Sequence, residues 1–284
     1  MKNYFVYKIS TNPFNPDFLS GILWEFDISG LIEEDDHLKI FTSEDSNVSL
    51  EVIKSSLIKL KEDNLLNSFT IEKEELEDKN WNELWEKSRE VIRVSERIVI
   101  KPSFKEYQIK GNEIVLTIDP KMSFGTGEHQ STKLVLRLLE KYVKKGMKVL
   151  DVGSGTGILS ITSVKLGATK AVAVDFDETC FDNCNENCVV NEVENSVEVR
   201  TGEIKDAEET NFDLILANIH KNVLIEIAEK IKSRLRENGK VILAGLLESD
   251  KEDIEKKYHS LGFRTEHFEK MDEWIAIVFA SVRE

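Results

Sequence analysis

The stretch that most restricts the fold of this chain is a glycine-rich turn at residues 149–159, Val-Leu-Asp-Val-Gly-Ser-Gly-Thr-Gly-Ile-Leu. Val149 and Leu150 are typical of a short buried strand, and apolar positions after Gly157 recur at roughly helical spacing. The three alternating glycines permit backbone angles and close approaches that a Cβ would forbid. The stretch therefore predicts a strand, a tight turn and a helix start, where a nucleotide-like cofactor can lie against the amide groups.

A regular alternation of strands and helices follows from this turn to the end of the chain. The predicted elements are strands at 149–152, 171–175, 196–200, 212–218 and 240–244, helices at about 157–166, 178–191, 222–236 and 250–260, and final strands near 263–268 and 274–280. Such alternation predicts a mostly parallel sheet covered on both faces. Ligands of these sheets bind beyond the carboxyl ends of the strands. Because Gly153, Asp175 and Asn218 stand at or just after strand ends, we expect them at one edge.

Polar side chains at that edge indicate cofactor and amine binding. Asp175 follows the first glycine of the turn by 22 residues, a position from which a carboxylate accepts hydrogen bonds from both hydroxyls of a ribose. Asp151 is expected to order the turn or to meet the cofactor's amino group. The carboxamide of Asn218 can hold a substrate amine through its oxygen. His129 and His220 are possible proton acceptors, although a histidine in such a position is more often a simple polar loop residue.

The spacing of the glycines separates two cofactor classes only in part. The dinucleotide-binding fingerprint is G-x-G-x-x-G, whereas the third glycine here comes one residue earlier and an acidic residue precedes the motif. This shorter spacing is similar to the first motif of Rossmann-like methyltransferases that use S-adenosylmethionine. The turn alone leaves open an NAD-dependent oxidoreductase, or a tight turn without a ligand.

The N-terminal part of the chain is predicted to be a separate, acidic module. Residues 1–73 show the element order β-α-β-β-α-β, which is that of a ferredoxin-like α+β domain. Residues 1–80 hold eight Lys, no Arg and 17 acidic residues, and so carry −9 of the formal net charge of −15. This charge argues against binding of nucleic-acid phosphates and is compatible with a basic protein partner or simply with a soluble surface. No cluster of catalytic residue types is present there, so the module is predicted to bind a partner or to serve as a scaffold.

Two segments connect this module to the alternating region. Residues 74–93 carry apolar positions at helical spacing and are interpreted as a linker helix. Short strands are then predicted at 91–94, 97–100 and 113–118. The stretch from Met122 to Thr132 combines two glycines, an aromatic residue and several hydroxyl groups before a helical pattern. By pattern alone it is a flexible loop in which Ser131 or Thr132 caps the next helix.

Composition and cysteine spacing exclude several classes of protein. No apolar run approaches the length of a membrane span, and the N-terminus lacks the features of a secretory signal, so a cytoplasmic protein is predicted. Cys180, Cys184 and Cys188 recur every four residues and form one stripe on a helix. This is not the ligand spacing of structural zinc sites, and buried cysteine often packs as a small hydrophobic residue. We therefore predict no metal site.

Several stretches together resemble the PrmA family, the enzymes that methylate large-subunit ribosomal protein eleven. They run in the family's order from the linker through the glycine turn, and the loop pattern F-G-T-G-x-H-x-[ST]-T is the most specific of them. The matching stretches are Asn80-Trp81 through Trp85, Val94 to Ser103, Asp119-Pro120, Phe124 to Thr132, Asp151 to Gly157, and Leu216-Ala217-Asn218-Ile219. The N-terminal module matches only by its order of elements.

The resemblance implies an α/β fold in which a Rossmann-like seven-stranded methyltransferase domain (94–284) is joined by a linker helix (74–93) to a small ferredoxin-like domain (1–73). The N-terminal domain would capture the ribosomal protein, and the enzyme is expected to be a monomer. It would use S-adenosyl-L-methionine to methylate lysine ε-amines, and the N-terminal α-amine is a further candidate acceptor. By motif position, the implied cofactor-binding residues are Thr132, Gly153, Asp175 and Asn218, with Gly125 and Gly155. Phe124 and Asn218 are the implied catalytic residues at the methyl-transfer site.

The chain also departs from the family pattern near the expected amine channel. After Asn218-Ile219 it continues with His220 to Val223 where the family has small residues and a proline, it has Glu128 and Gln130 within the loop, and Lys105 stands near the place of a family tryptophan. These differences bear on the acceptor and the number of methyl groups more than on the cofactor. Another protein, a small molecule or a nucleic acid as methyl acceptor, and a non-enzymatic binding protein, are the remaining alternatives.

Overall fold

A computed structural model describes residues 4–23, 26–34, 36–43, 46–63, 65–76, 90–119, 123–207 and 209–281. The chain divides into two compact units, Met1–Ser88 and Arg89–Glu284. Among the described residues, the N-terminal unit has one sheet and one apolar core cluster, and the C-terminal unit has two sheets and two apolar core clusters.

The N-terminal unit is built on an antiparallel sheet. Its described elements are β1 Tyr4–Asn12, α1 Pro16–Leu23, β2 Gly30–Glu33, β3 Leu38–Ser43, α2 Leu50–Glu62 and β4 Ser68–Leu76. The strand order is β2-β3-β1-β4, and every neighbouring pair is antiparallel. Ile9, Leu38 and Ile40 of the central strands pack with Ile53 and Leu57 of α2 in one buried cluster. This arrangement confirms the ferredoxin-like order predicted from the sequence.

The predicted linker helix at 74–93 differs from the structure at both of its ends. Strand β4 continues to Leu76, and Ile92–Arg93 forms a short strand. Strand β4 reaches Leu76 because it pairs with β1 along its whole length, and Leu76 is the partner of Tyr4 in that ladder. The rest of that segment, residues 77–89, lies outside the described residues.

The C-terminal unit begins with a small sheet and continues with a large one. The small sheet contains β5 Ile92–Arg93, β6 Ile98–Lys101 and β7 Ile114–Thr117. The elements that follow are α3 Gln130–Tyr142, β8 Lys148–Val152, α4 Ile158–Lys165, β9 Lys170–Asp175, α5 Glu178–Val190, β10 Val197–Thr201, β11 Phe212–Asn218, α6 Lys221–Glu226, α7 Ala228–Arg234, β12 Leu235–Leu247, α8 Lys251–Ser260, β13 Phe263–Met271 and β14 Trp274–Ser281.

Within the described residues, the large sheet has seven strands in the order β10-β9-β8-β11-β12-β14-β13. The first five are parallel, and β14 runs antiparallel to both of its neighbours. The strand order reverses between β8 and β11, which is where open α/β sheets bind their ligands. The seven-stranded Rossmann-like fold is therefore confirmed, and the carboxyl ends of β8, β9 and β11 meet at its switch point.

One predicted helix is wrong in extent. The sequence pattern predicts a single helix at about 222–236, whereas α6 ends at Glu226, α7 starts at Ala228, and β12 begins at Leu235. Leu224, Ala228 and Ile231 are all buried and keep helical spacing across the break. The apolar pattern is therefore continuous even though the backbone is not.

Candidate active site

The register of three parallel strands brings the predicted site residues to one edge. Val152 of β8 pairs with Val174 of β9 on one side and with Ala217 of β11 on the other. Gly153, Asp175 and Asn218 directly follow these three residues. They therefore lie side by side at the switch point, as their positions at strand ends predict.

The backbone amides of the glycine turn already have acceptors within the protein. The N–H groups of Gly153 and Ser154 donate to the Val174 carbonyl, that of Gly155 to the Asp175 carboxylate, that of Thr156 to the Phe124 carbonyl and that of Gly157 to the Ser154 carbonyl, over 2.8–3.2 Å. These five N–H groups are therefore hydrogen-bonded within the protein, and the contact of a cofactor with this turn stays a prediction. Side chains at this edge, including the Asp175 carboxylate, keep further hydrogen-bonding capacity.

Backbone amides hold the Asp175 carboxylate in a fixed orientation. Its Oδ2 accepts a hydrogen bond from the Gly155 N–H at 2.8 Å, and its Oδ1 accepts one from the Asp177 N–H at 3.1 Å. Each carboxylate oxygen can accept a second hydrogen bond, and the side chain is half-buried. Asp175 can therefore accept hydrogen bonds from two neighbouring hydroxyl groups without changing its rotamer.

The loop that contains Phe124 rests on the glycine turn. Thr156 donates its N–H to the Phe124 carbonyl at 2.9 Å and its hydroxyl to the Gly125 carbonyl at 2.7 Å. Gly155 has a φ of +52°, and a Cβ at that position would overlap the Phe124 carbonyl oxygen. Glycine is therefore required at 155 by the loop above it. The Phe124 side chain itself is 58% exposed, so the loop presents an aromatic ring at the surface of the site.

Asn218 presents an unpaired oxygen at the same edge. Its Nδ2 donates to the Thr132 hydroxyl at 3.3 Å, while its buried Oδ1 has no partner. Thr132 is itself buried and lies behind Asn218, where it orients the carboxamide. The structure therefore gives Thr132 a supporting place, and its direct contact with a cofactor stays a prediction.

His129, and neither Ser131 nor Thr132, caps helix α3. Its Nδ1 accepts a hydrogen bond from the Ser131 N–H at 3.2 Å and lies 2.7 Å from the Ser131 hydroxyl. The His129 ring also packs edge-on between Phe124, at 5.7 Å between centroids, and Trp274, at 4.5 Å. An Nδ1 that accepts from a backbone amide is not available to take a proton from an amine. These contacts favour a structural role for His129.

Asp151 supports the turn from below. It is fully buried, and its Oδ2 accepts hydrogen bonds from the N–H and the hydroxyl of Ser160, at 3.1 and 2.8 Å. Burial raises the pKa of Asp151 to about 7. Of the two roles predicted for Asp151, the structure supports the ordering of the turn, because these bonds tie β8 to the start of α4.

Unpaired buried polar atoms concentrate around the turn. Among the residues that the structure describes, they include Asp151 Oδ1, Ser154 Oγ and Asn218 Oδ1. Buried polar atoms without a partner are rare because they are costly. The Asn218 oxygen and the Ser154 hydroxyl, together with the Asp175 carboxylate, suit a polar ligand that carries several hydrogen-bond donors.

Family membership follows from comparison with known proteins. The profile of the ribosomal protein L11 methyltransferase (PrmA) family matches residues 16–281 of this chain. The chain belongs to that family. Membership places it among methyltransferases, and the alternative of an NAD-dependent oxidoreductase is therefore wrong.

Individual family members agree over most of the chain. A ribosomal protein L11 methyltransferase from Alkaliphilus oremlandii is 35% identical over 265 residues, which are 92% of this chain and 83% of that protein. One from Acetivibrio thermocellus is 38% identical over 204 residues, 72% of this chain and 65% of that protein. The crystal structure of a ribosomal protein L11 methylase from Lactobacillus delbrueckii subsp. bulgaricus superposes with a TM-score of 0.65 at 28% identity, over 69% of this chain and 100% of that one.

The departures from the family pattern have local partners in this chain. The Lys221 ammonium lies 3.0 Å from Asp250 and 3.3 Å from Asp253. Gln130 donates to the Asp272 carboxylate at 3.2 Å. Lys105 likewise pairs with Glu90. Lys221, Gln130 and Lys105 thus each have a side-chain partner within the C-terminal unit.

Phe176 is a residue that the sequence reasoning missed. It directly follows Asp175 and is 80% exposed, although aromatic side chains usually bury most of their surface. The available signal was an aromatic residue between two acidic ones at the end of a strand.

The three cysteines of α5 are all buried, and none of them forms a disulfide. A hydrogen bond with Cys188 and burial raise the pKa of the Cys184 thiol. No described helix is long and apolar enough to span a membrane.

Proposed function

We propose that this protein transfers methyl groups from S-adenosyl-L-methionine to lysine ε-amines of ribosomal protein L11, with the N-terminal α-amine as a second acceptor. The observation that carries this proposal is the meeting, at one sheet edge, of the fixed Asp175 carboxylate and the unpaired oxygen of Asn218. The first suits the ribose of a cofactor, and the second suits an amine. Family membership supports the same reaction.

The residues present fit the cofactor. Asp175 would accept hydrogen bonds from the two ribose hydroxyls, and the exposed ring of Phe176 would pack against the adenine. The unpaired Ser154 hydroxyl, with Gly153 and Gly155, would line the side nearest the turn, and Gly125 the side nearest the loop. When bound, the cofactor supplies an electrophilic methyl group on a positively charged sulfur.

The chain's own residues would prepare the acceptor amine. Asn218 Oδ1 accepts a hydrogen bond from the amine and so points its lone pair along one direction, while Thr132 keeps the carboxamide from rotating. The exposed Phe124 ring would cover the amine and exclude water, which favours the neutral form that can act as a nucleophile. Alignment of this kind contributes mainly through proximity and orientation.

The N-terminal unit would recruit the ribosomal protein. It has its own core and sheet, and it contributes none of the residues of the edge described above. Its acidic composition suits a basic protein partner. We propose that the enzyme acts on this partner in the cytoplasm as a monomer and does not bind nucleic acid directly.

The direct test is mass spectrometry of recombinant L11 after incubation with the enzyme and methyl-labelled S-adenosylmethionine. We expect labelled methyl groups on lysine residues.

Asn218→Ala should lower kcat by about 10- to 100-fold, because the amine loses its orienting acceptor. Its affinity for S-adenosylhomocysteine, measured by calorimetry, should change less. Asn195→Ala is the matched control, because Asn195 is exposed and lies just before the amino end of β10, whereas the site lies at the carboxyl ends of the strands.

Two outcomes would contradict different parts of the proposal. Binding of S-adenosylhomocysteine without any labelled L11 would keep the cofactor and reject the acceptor. Equal losses of turnover and of cofactor affinity in Asn218→Ala would mean that Asn218 serves the cofactor and does not orient the amine.

A further inference from the structure

Helix α5 and its C-cap residue carry a buried stripe of asparagines, in addition to the stripe of cysteines. Asn183, Asn187 and Asn191 recur every four residues and are 2%, 2% and 4% exposed. A buried carboxamide is costly unless its oxygen and its NH₂ group are both hydrogen-bonded. The partners of these side chains therefore indicate why polar residues stand here.

Asn187 joins two segments of the active site. Its Oδ1 accepts the Asp119 N–H at 3.0 Å, and its Nδ2 donates to the Thr156 carbonyl at 3.0 Å and to Asn183 Oδ1 at 2.9 Å. A longer contact, of 3.4 Å, reaches the Asp119 carbonyl. Asp119 lies between β7 and the Phe124 loop, and Thr156 belongs to the glycine turn. One side chain of α5 thus holds both.

Thr156 carries this connection on to the loop. The carbonyl of Thr156 is held by Asn187, while its N–H and hydroxyl donate to the carbonyls of Phe124 and Gly125. A direct chain of hydrogen bonds therefore runs from α5 through the glycine turn to the loop. The position of the Phe124–Gly125 backbone above the turn depends on where Thr156 is held.

We propose that Asn187 is a positioning residue for methyl transfer. It fixes Thr156 and, through it, the Phe124–Gly125 backbone over the glycine turn. Loss of the carboxamide would leave the Asp119 N–H and the Thr156 carbonyl without this partner, and the turn, with the loop bonded to it, would no longer be fixed to α5 and Asp119. This inference rests on the proposed function of the site, since Asn187 touches neither substrate nor cofactor there.

Asn191, the C-cap residue of α5, provides a matched control one turn further along the same stripe. Its Oδ1 accepts the Thr117 N–H at 3.0 Å, and its Nδ2 donates to the Thr117 carbonyl at 2.6 Å. It is nearly as buried as Asn187, and it holds the backbone of Thr117 at the end of β7 as Asn187 holds that of Asp119. Its Nδ2 also donates to the Asn187 backbone carbonyl at 2.8 Å, a bond that leaves the Asn187 side chain free to hold Thr156. Removal of the Asn191 carboxamide should therefore cost stability without releasing the loop.

The test compares Asn187→Ala, Asn191→Ala and Thr156→Val, and the two doubles with Thr156→Val, in the full-length chain. We expect both alanine variants to lower Tm to a similar extent. Asn187→Ala should lower kcat for L11 by about tenfold or more with little change in the Kd for S-adenosylhomocysteine, since small misplacements of catalytic groups have such effects. Asn191→Ala should change kcat by less than about threefold. The Asn187/Thr156 double should be non-additive, as residues in one network are.

Hydrogen exchange supplies a readout that does not depend on the acceptor. We expect faster amide exchange in residues 123–130 for Asn187→Ala and for Thr156→Val, but not for Asn191→Ala. If Asn187→Ala does not fold, Thr156→Val tests the same connection from its other end. Equal exchange and equal kcat in the two asparagine variants would overturn the inference. A wild-type chain that leaves L11 unmethylated would reject the proposed acceptor instead, and the exchange data would still decide the role of Asn187.

Discussion

At the scale of single residues, Asp151 carries a buried carboxyl group whose charge state matters for stability. Burial raises its pKa from 3.8 to about 7, against the opposing effect of the hydrogen bonds from Ser160. The folded state therefore binds a proton more tightly than the unfolded chain does. The stabilisation that this proton provides is complete below about pH 4 and is lost as the pH rises through about 7.

Asp151→Asn should accordingly stabilise the fold more at pH 8 than at pH 5. Asparagine keeps an oxygen for the Ser160 donors and carries no charge at either pH. The pH difference has an upper bound of about 3 kcal/mol, because about two pH units separate pH 5 from the Asp151 pKa of about 7. Urea unfolding at the two pH values measures it, and Asp182→Asn, at an exposed position of α5, is the control. A gain that is the same at both pH values would show that Asp151 is charged in the folded protein throughout this range.

At the scale of elements, the contact between the loop and the glycine turn depends on the absence of one Cβ. Gly155 and Gly111 have similar backbone angles, with φ of +52° and +59°, but nothing lies within 4 Å of a Cβ at Gly111, whereas one at Gly155 overlaps the Phe124 carbonyl. A backbone carbonyl cannot rotate away as a side chain can. The two glycines therefore share the same conformational strain and differ in the clash.

Gly111→Ala should cost about 1 kcal/mol, the penalty of the left-handed region for alanine. Gly155→Ala should cost clearly more and should also lower kcat, because the loop must shift to make room. Urea unfolding and methylation of L11 by the two variants give the comparison. Equal losses of stability, with equal activity, would mean that the loop does not depend on its fit to the turn.

At the scale of the whole molecule, the two units have separate cores, so we expect each to keep its structure alone. A chain of residues 89–284 should bind S-adenosylhomocysteine with an affinity close to that of the full chain and should lose most of its activity on L11, since the recruiting unit is absent. Calorimetry and mass spectrometry measure the two properties, and circular dichroism confirms folding. Full-rate methylation of L11 by this truncated chain would refute the recruiting role.

The features that followed from sequence are those that depend on local pattern. The alternation of strands and helices after Lys148 predicted the parallel sheet, because periodicity is set by neighbouring residues. It also placed Gly153, Asp175 and Asn218 at one edge, since parallel strands end on the same side. The order of elements in the first 73 residues likewise predicted the antiparallel ferredoxin-like sheet. These results needed no knowledge of which side chains touch.

Only the tertiary structure decided how the site residues are used. The partners of Asn187 lie 31 and 68 positions away in the chain, and no local pattern specifies contacts over such distances. The same holds for Asn218 and Thr132, which are 86 positions apart. Packing also determined that the amides of the glycine turn donate to acceptors within the protein, and that His129 is the N-cap of α3. Sequence pattern thus determined where the edge of the sheet lies, while packing between distant segments determined which atoms remain there to meet a ligand.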